Sequence, residues 1–163
     1  MSQQHPIVAV TGSAGAGTTT VRHAFSDIFR RQGISAQFVK GDSFYRYGLA
    51  EMEQRVTESS QRGRPISYFG PEANHFDKLE NLFQQYAKSG GGEWRCYVRD
   101  DADAKRLGLA VGGFTPWRKV DKGTDLLFYE GMHGGVAAHT WTRRKANPAH
   151  LPQGKERRGS GGK

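Results

Sequence analysis

A glycine-rich segment near the start of the chain has the spacing of a phosphate-binding loop. Within VAVTGSAGAGTTT, residues 8–20, Gly12 and Gly17 stand at the two glycine positions of the pattern G-x-x-x-x-G-K-[ST]. Glycines let successive backbone N–H groups turn toward an anion, and the positive end of a following helix dipole points to the same place. The glycine order differs from the G-x-G-x-x-G of dinucleotide-binding folds, which disfavours that alternative. We therefore expect an ATP polyphosphate to bind Gly12, Ser13, Ala14, Gly15, Ala16, Gly17, Thr18, Thr19 and Thr20.

Thr18 occupies the position at which most phosphate loops have a lysine. Without that ammonium group, the charge of the β and γ phosphates must be neutralised by Mg²⁺ and by residues elsewhere. Thr19, with Thr20 as the alternative, supplies a hydroxyl suited to a Mg²⁺ contact. Glu130 follows an apolar run, residues 126–129, and we expect it at the edge of a sheet as a second Mg²⁺ ligand. The alternative is that Glu130 is an ordinary surface acid.

One aspartate is the candidate for proton transfer. Asp42 follows the second predicted strand and should lie at the same sheet edge as the loop. A small-molecule kinase needs a carboxylate near the acceptor hydroxyl, to orient it and accept its proton as the phosphoryl group is transferred. We therefore predict that Asp42 is the general base. The alternative is an aspartate that caps the following turn.

Alternating strand and helix patterns position these residues. Short apolar runs predict strands over residues 7–11, 37–40 and 126–129, and the last run is typical of a strand buried on both faces. Apolar residues at helical spacing predict one helix between the loop and Gly33 and another over residues 76–86. The polar segment over residues 50–61 is also expected to be helical. Short strands or a hairpin are predicted over residues 94–98 and 114–117. The order favours a three-layer α/β/α fold of the P-loop NTPase type with a mostly parallel sheet, in truncated form.

The basic charge is concentrated in the last part of the sequence. The 163 residues carry 24 Lys and Arg against 16 Asp and Glu, for a formal charge of +8, and residues 137–163 hold seven of the cations and one acid. This segment lacks a helical or strand period, so we expect a disordered tail; an RNA- or membrane-binding arm is the alternative. The near-neutral remainder argues against nucleic-acid binding by the domain itself.

The sequence indicates the compartment in which the protein works and which redox chemistry it can carry out. It has no apolar stretch of membrane-spanning length and no signal-peptide pattern at its N-terminus, so we expect a cytoplasmic protein without a membrane partner. Cys96 is the single cysteine, which excludes a disulfide within the chain and fits a reducing compartment.

Taken in order, five motifs resemble the bacterial-type phosphoribulokinases of the wider phosphoribulokinase and uridine kinase group. The motifs are HPIVAVTGSAGAGTTTV, GDSFYRY, ISYFGPEANHFDKLENLF, CYVRDDADA and TDLLFYEGMHGGV. The resemblance implies ATP- and Mg²⁺-dependent phosphorylation of D-ribulose 5-phosphate at its 1-hydroxyl, giving ribulose 1,5-bisphosphate for the Calvin cycle. It also implies a homo-oligomer under effector control.

The same resemblance assigns roles to particular residues. It supports the loop, Asp42 and Glu130 in the roles given above, and it places Tyr45 and Arg46 on the sugar-phosphate side and Arg31 at an effector contact. Three positions depart from the family pattern: Tyr45 stands where His is usual, Leu49 where Arg is usual, and Arg99 where His is usual. Leu49 offers no donor to a phosphate, and Arg46 could partly compensate for it.

The resemblance covers residues 5–136 and not the basic segment. We therefore interpret residues 1–136 as the N-terminal part of a kinase domain whose relatives continue for about as long again. Translation in a wrong reading frame would give an abrupt, basic and aperiodic segment such as residues 137–163. Three alternatives stay open: another small-molecule kinase of this fold such as a uridine kinase, an inert ATP-binding module, and a nucleic-acid-binding protein acting through residues 137–163.

Overall fold

The centre of the molecule is a parallel sheet of three short strands. The computed structural model describes residues 4–13 and 15–135, within which β1 (Ile7–Val10), β2 (Ala36–Lys40) and β5 (Leu126–Glu130) pair in the order β1-β5-β2. Both pairings are parallel, so all three strands end at one edge. Every residue of β5 is buried, as its unbroken apolar run predicts for a central strand.

One face of the sheet is covered by α1 (Thr18–Arg31). Phe25 and Phe29 lie one helical turn apart and pack against Phe128 of β5, with ring centroids 5.3 and 6.0 Å away. Leu126 belongs to the same buried cluster. Because side chains alternate along a strand, Leu126 and Phe128 point to this face and their neighbours in β5 point to the other.

The opposite face is covered by α3 (Phe76–Ser89). Leu79, Leu82 and Tyr86 recur at helical spacing and are almost fully buried against Leu127 and Tyr129 of β5. Burying side chains of this size contributes about 1.5–3 kcal/mol each to folding. With helices on both faces, the predicted three-layer architecture and mostly parallel sheet are confirmed.

A second, smaller layer of structure flanks the sheet. The strands β3 (Glu93–Trp94) and β4 (Arg118–Lys119) pair antiparallel, and a bridge between Tyr97 and Phe114 continues the ladder inward. The predicted hairpin is thus confirmed, although the strands proper lie at its outer end. A helix, α2 (Leu49–Gln61), was also predicted within one residue.

The sequence patterns missed α4 (Asp101–Leu107), the short helix within the hairpin. It has no buried residue, so it lacks the apolar period on which helix prediction rests. A polar side chain fixes the start of the helix instead: the Asp100 carboxylate accepts a hydrogen bond of 2.8 Å from the backbone N–H of Asp103.

The predicted disordered tail, residues 137–163, lies outside the described residues. None of the described helices has the length and apolar content that crossing a membrane requires.

Candidate functional site

A cavity of about 400 Å³ opens at the sheet edge where the parallel strands end. This is the edge at which open α/β sheets bind ligands. Most of the residues that the sequence singled out for chemistry line this cavity. They are Gly12, Ser13, Gly15, Gly17, Thr18, Thr19, Asp42, Tyr45 and Glu130.

The loop between β1 and α1 has the backbone geometry that its glycines predict. Gly15 and Gly17 have φ values of +82° and +79°, which other residues rarely adopt. Gly17 is also the N-cap of α1, and its carbonyl accepts a 3.1 Å hydrogen bond from the N–H of Val21. At Gly12 a Cβ would lie 2.8 Å from the Thr18 Cγ2 atom, so the loop closes tightly on the helix. Ala14 lies outside the described residues.

Glu130 links the end of β5 to the first turn of α1. Its side chain is 8% exposed, and its Oε1 atom accepts hydrogen bonds from the hydroxyls of Thr18 at 3.0 Å and Thr19 at 2.8 Å. The Oε2 atom is buried without a hydrogen-bond partner in the described part of the chain, and the Arg22 Nε atom lies 3.9 Å away. A buried carboxylate oxygen without a donor is costly unless a cation or a ligand satisfies it.

These atoms fit a Mg²⁺ ion. Mg²⁺ usually binds one or two protein oxygens together with phosphates and water, and here the Thr19 hydroxyl and the Glu130 carboxylate meet beside the loop. Across residues 4–13 and 15–135, no group of three or more His, Cys, Asp and Glu side chains forms a metal cage. Thr20, the alternative ligand, is exposed and does not line the cavity.

Asp42 reaches the same cavity from β2. A 3-10 turn over Gly41–Phe44 continues the strand, and Asp42 is the acidic residue in the first turn of this element. Its Oδ2 atom is held by the guanidinium of Arg99, and this hydrogen bond raises the pKa of Arg99. Burial, followed by the charge of Asp42 and a hydrogen bond to it, raises the pKa of Tyr45 well above its usual range. The Tyr45 hydroxyl therefore stays a donor at neutral pH.

Other predicted site residues lie elsewhere. The Arg46 guanidinium donates 3.1 Å hydrogen bonds to the Pro71 carbonyl and to His75, and it does not line the cavity. Leu49 is exposed at the start of α2, and Arg31 is exposed in the last turn of α1. Ala16 is in the loop but is not part of the cavity wall; its N–H donates to the Ser13 carbonyl at 3.1 Å.

Sequence reasoning missed three side chains of the cavity wall that can carry a positive charge, Lys40, Arg99 and His133. Lys40 is the last residue of β2 and lies opposite Glu130 in the strand register, so its strand-end position was a usable signal. His133 packs its ring against Phe76, with centroids 4.8 Å apart, and its Nε2 atom lies 3.1 Å from the Phe69 carbonyl. Burial lowers the pKa of His133.

Comparison with known proteins places the chain in a family. The family model "Phosphoribulokinase / Uridine kinase family" matches residues 7–143. Phosphoribulokinase 1 of Cereibacter sphaeroides is 48% identical over 137 residues, which are 83% of this chain and 47% of that protein. A phosphoribulokinase of Nitrobacter vulgaris is 47% identical over the same shares of each chain.

The solved structures include a similar fold. The structure of phosphoribulokinase from Rhodobacter spheroides matches with a TM-score of 0.69 and 42% identity, over 80% of this chain and 44% of that one. The chain spans about half the length of the curated relatives it matches. Since the family model and these relatives cover most of the present sequence, the chain belongs to the phosphoribulokinase and uridine kinase family.

Proposed function

We propose that this chain binds ATP with Mg²⁺ and transfers the terminal phosphoryl group to the 1-hydroxyl of D-ribulose 5-phosphate. The product would be ribulose 1,5-bisphosphate, the substrate of carbon fixation in the Calvin cycle. The observation that carries the proposal is the meeting of the glycine loop, Glu130 and Asp42 around one cavity at the sheet edge. The phosphoribulokinase names of the relatives support the choice of acceptor.

The glycine loop supplies the phosphate-binding part of this chemistry. Its backbone N–H groups and the N-terminal end of α1 favour negative charge at the mouth of the cavity. Thr19 and Glu130 would hold Mg²⁺, which neutralises charge on the transferring phosphates. The loop has Thr18 where a lysine is usual, so positive charge must come from elsewhere. Lys40 adds a positive charge to the cavity wall.

Asp42 is the residue proposed to accept the proton of the acceptor hydroxyl. Its side chain is 16% exposed, so it can meet an acceptor from the cavity. The carboxylate already accepts hydrogen bonds from Arg99 and Tyr45, and it keeps lone pairs with which to accept a hydrogen bond from an acceptor hydroxyl. A guanidinium beside the base is also suited to the phosphate of a sugar phosphate.

An acceptor panel tests this function. ADP release is measured with ATP, Mg²⁺ and either D-ribulose 5-phosphate or uridine, with Asp42→Ala as the inactive control. Release with ribulose 5-phosphate alone supports the proposal. Release with uridine alone assigns the chain to another small-molecule kinase. Tyr45 and Leu49 would explain that outcome, because both differ from the family pattern on the sugar-phosphate side. ATP binding with no turnover on any acceptor identifies an inert ATP-binding module and overturns the proposal.

Assembly and location complete the proposal. A homo-oligomer in the cytoplasm is what the resemblance to the bacterial-type enzymes implies. Light scattering of the purified chain tests the assembly, and a mass equal to one 18.1 kDa chain would contradict it.

A further inference from the structure

A second cavity, of about 370 Å³, lies between β2, α1, α4 and the hairpin of β3 and β4. Four cationic side chains and two carboxylates line it together with aromatic rings. The cations are Arg22, Lys40, Arg106 and Arg118. Neither Tyr45 nor Leu49, the residues expected near the acceptor, is part of its wall.

The two carboxylates in the wall are already neutralised. Asp103 accepts a 2.6 Å hydrogen bond from Arg106, which lowers the pKa of Asp103, and Asp42 is paired with Arg99. Lys40 and Arg118 have no ion-pair partner within 4 Å in the described part of the chain. The cavity therefore has unbalanced positive charge.

Aromatic rings contact two of the cations. Of these, Arg22 is ion-paired with Glu130, which does not line this cavity, whereas Arg118 has no ion pair in the described part of the chain. The Arg118 guanidinium lies over the Trp94 ring, 3.9 Å from its centroid, and the Arg22 guanidinium lies 5.3 Å from the centroid of Phe38. The Arg22 Nε atom is buried and lacks a hydrogen-bond partner among the described residues; its nearest carboxylate oxygen is the Glu130 Oε2 atom, at 3.9 Å.

We propose that this second cavity binds the phosphate group of a small phosphorylated molecule. Guanidinium groups match phosphate oxygens in pairs, and aromatic packing has already restricted the Arg118 and Arg22 side chains. The volume is in the range of small-ligand pockets. This site is separate from the glycine loop, although Lys40 and Asp42 line both cavities, so a phosphate here would alter the charge next to the proposed base.

Inorganic phosphate is the probe, and the amide and indole N–H signals of the ¹⁵N-labelled full chain are the readout. Millimolar phosphate is added at constant ionic strength, with sodium chloride as the matched salt. The Trp94 indole signal, assigned by its loss in Trp94→Phe, should move and saturate. Signals of Gly12, Gly15 and Gly17 report phosphate in the loop. Movement confined to these glycines, or no saturable movement of Trp94, overturns the proposal.

Matched substitutions give the second arm of the test. Arg118→Gln should weaken phosphate binding at the Trp94 signal about tenfold, because it removes a charge-assisted donor pair. The neighbouring Lys119→Gln removes the same charge from an exposed side chain and should change binding less than twofold on this account. If Arg118→Gln does not fold, a second pair of variants takes its place: Arg106→Gln as the test and Lys105→Gln as the control. Equal losses within a pair would show general electrostatic attraction and would overturn the site.

Discussion

At the residue scale, the chemistry depends on how two carboxylates are held. Glu130 is fixed by two threonine hydroxyls and its second oxygen has no donor among the described residues, whereas Asp42 is paired with Arg99. Both were placed at one sheet edge by sequence reasoning, because parallel strands end together. Arg99 was recognised only as a departure from the family pattern, because it is 57 residues from Asp42 and reaches it through tertiary packing.

Replacement of Asp42 tests its role as the base. Asp42→Asn keeps the shape of the side chain but removes the proton acceptor, so turnover should fall about 100-fold or more while ATP affinity stays nearly unchanged. Steady-state kinetics and ATP titration measure the two quantities. The exposed Asp121→Asn is the control and should leave both unchanged. A large loss of ATP affinity with turnover intact would show that Asp42 is not the base.

At the element scale, strong apolar periods predicted most of the fold, and the exceptions have physical causes. The strands, α1 and α3 were predicted because their apolar residues repeat at strand or helix spacing. The polar segment of α2 was predicted as a helix without such a period, and it buries only Met52. The helix α4 was missed because it buries nothing. Arg46 was expected on the sugar-phosphate side because the resemblance to the family implies it. In the structure the backbone pairs Tyr45 with Asn74, the Arg46 N–H donates to the Ala73 carbonyl, and the Arg46 side chain contacts His75 next to the start of α3.

The ends of β2 and β5 approach so closely that a glycine is required between them. A Cβ on Gly131 would lie 2.7 Å from the Tyr129 hydroxyl and 2.9 Å from the Gly41 Cα atom. Gly131→Ala should therefore lower the free energy of unfolding by about 1–3 kcal/mol and separate Asp42 from Glu130. Urea denaturation measures the loss. Gly135→Ala is the matched control, because no atom of the described residues lies within 4 Å of the place that a Cβ would take there; equal stability of the two variants would contradict the packing.

At the scale of the whole molecule, two half-buried histidines make stability depend on pH. Burial lowers the pKa of His75 and of His133, and the neighbouring Arg46 lowers that of His75 further. The unfolded chain therefore binds more protons than the folded chain once the pH falls below about 6.5. The stability contributed by the neutral imidazoles is complete above that pH and is lost as the pH falls.

The double variant His75→Gln/His133→Gln isolates this effect. Urea unfolding at about pH 7 and about pH 5.5 should show a smaller loss of stability for the double variant than for the parent chain, because two proton-linked groups have been removed. The carboxylates are present in both proteins, so the difference between the slopes reports the histidines together with the contact between His75 and Asp77. Identical slopes would contradict the burial of the two imidazoles.

The most direct test of the whole account is ATP binding with and without Mg²⁺. Calorimetric titration of the chain and of Glu130→Gln should show that, with Mg²⁺, the substitution weakens ATP binding about tenfold or more, because a metal ligand is lost. With a chelator present, Glu130→Gln should bind ATP at least as well as the parent chain, since a negative charge beside the phosphates has been removed. The exposed Glu53→Gln should change neither. An equal effect of Glu130→Gln under both conditions, or no ATP binding by the parent chain, would contradict a magnesium-assisted phosphate site at this sheet edge.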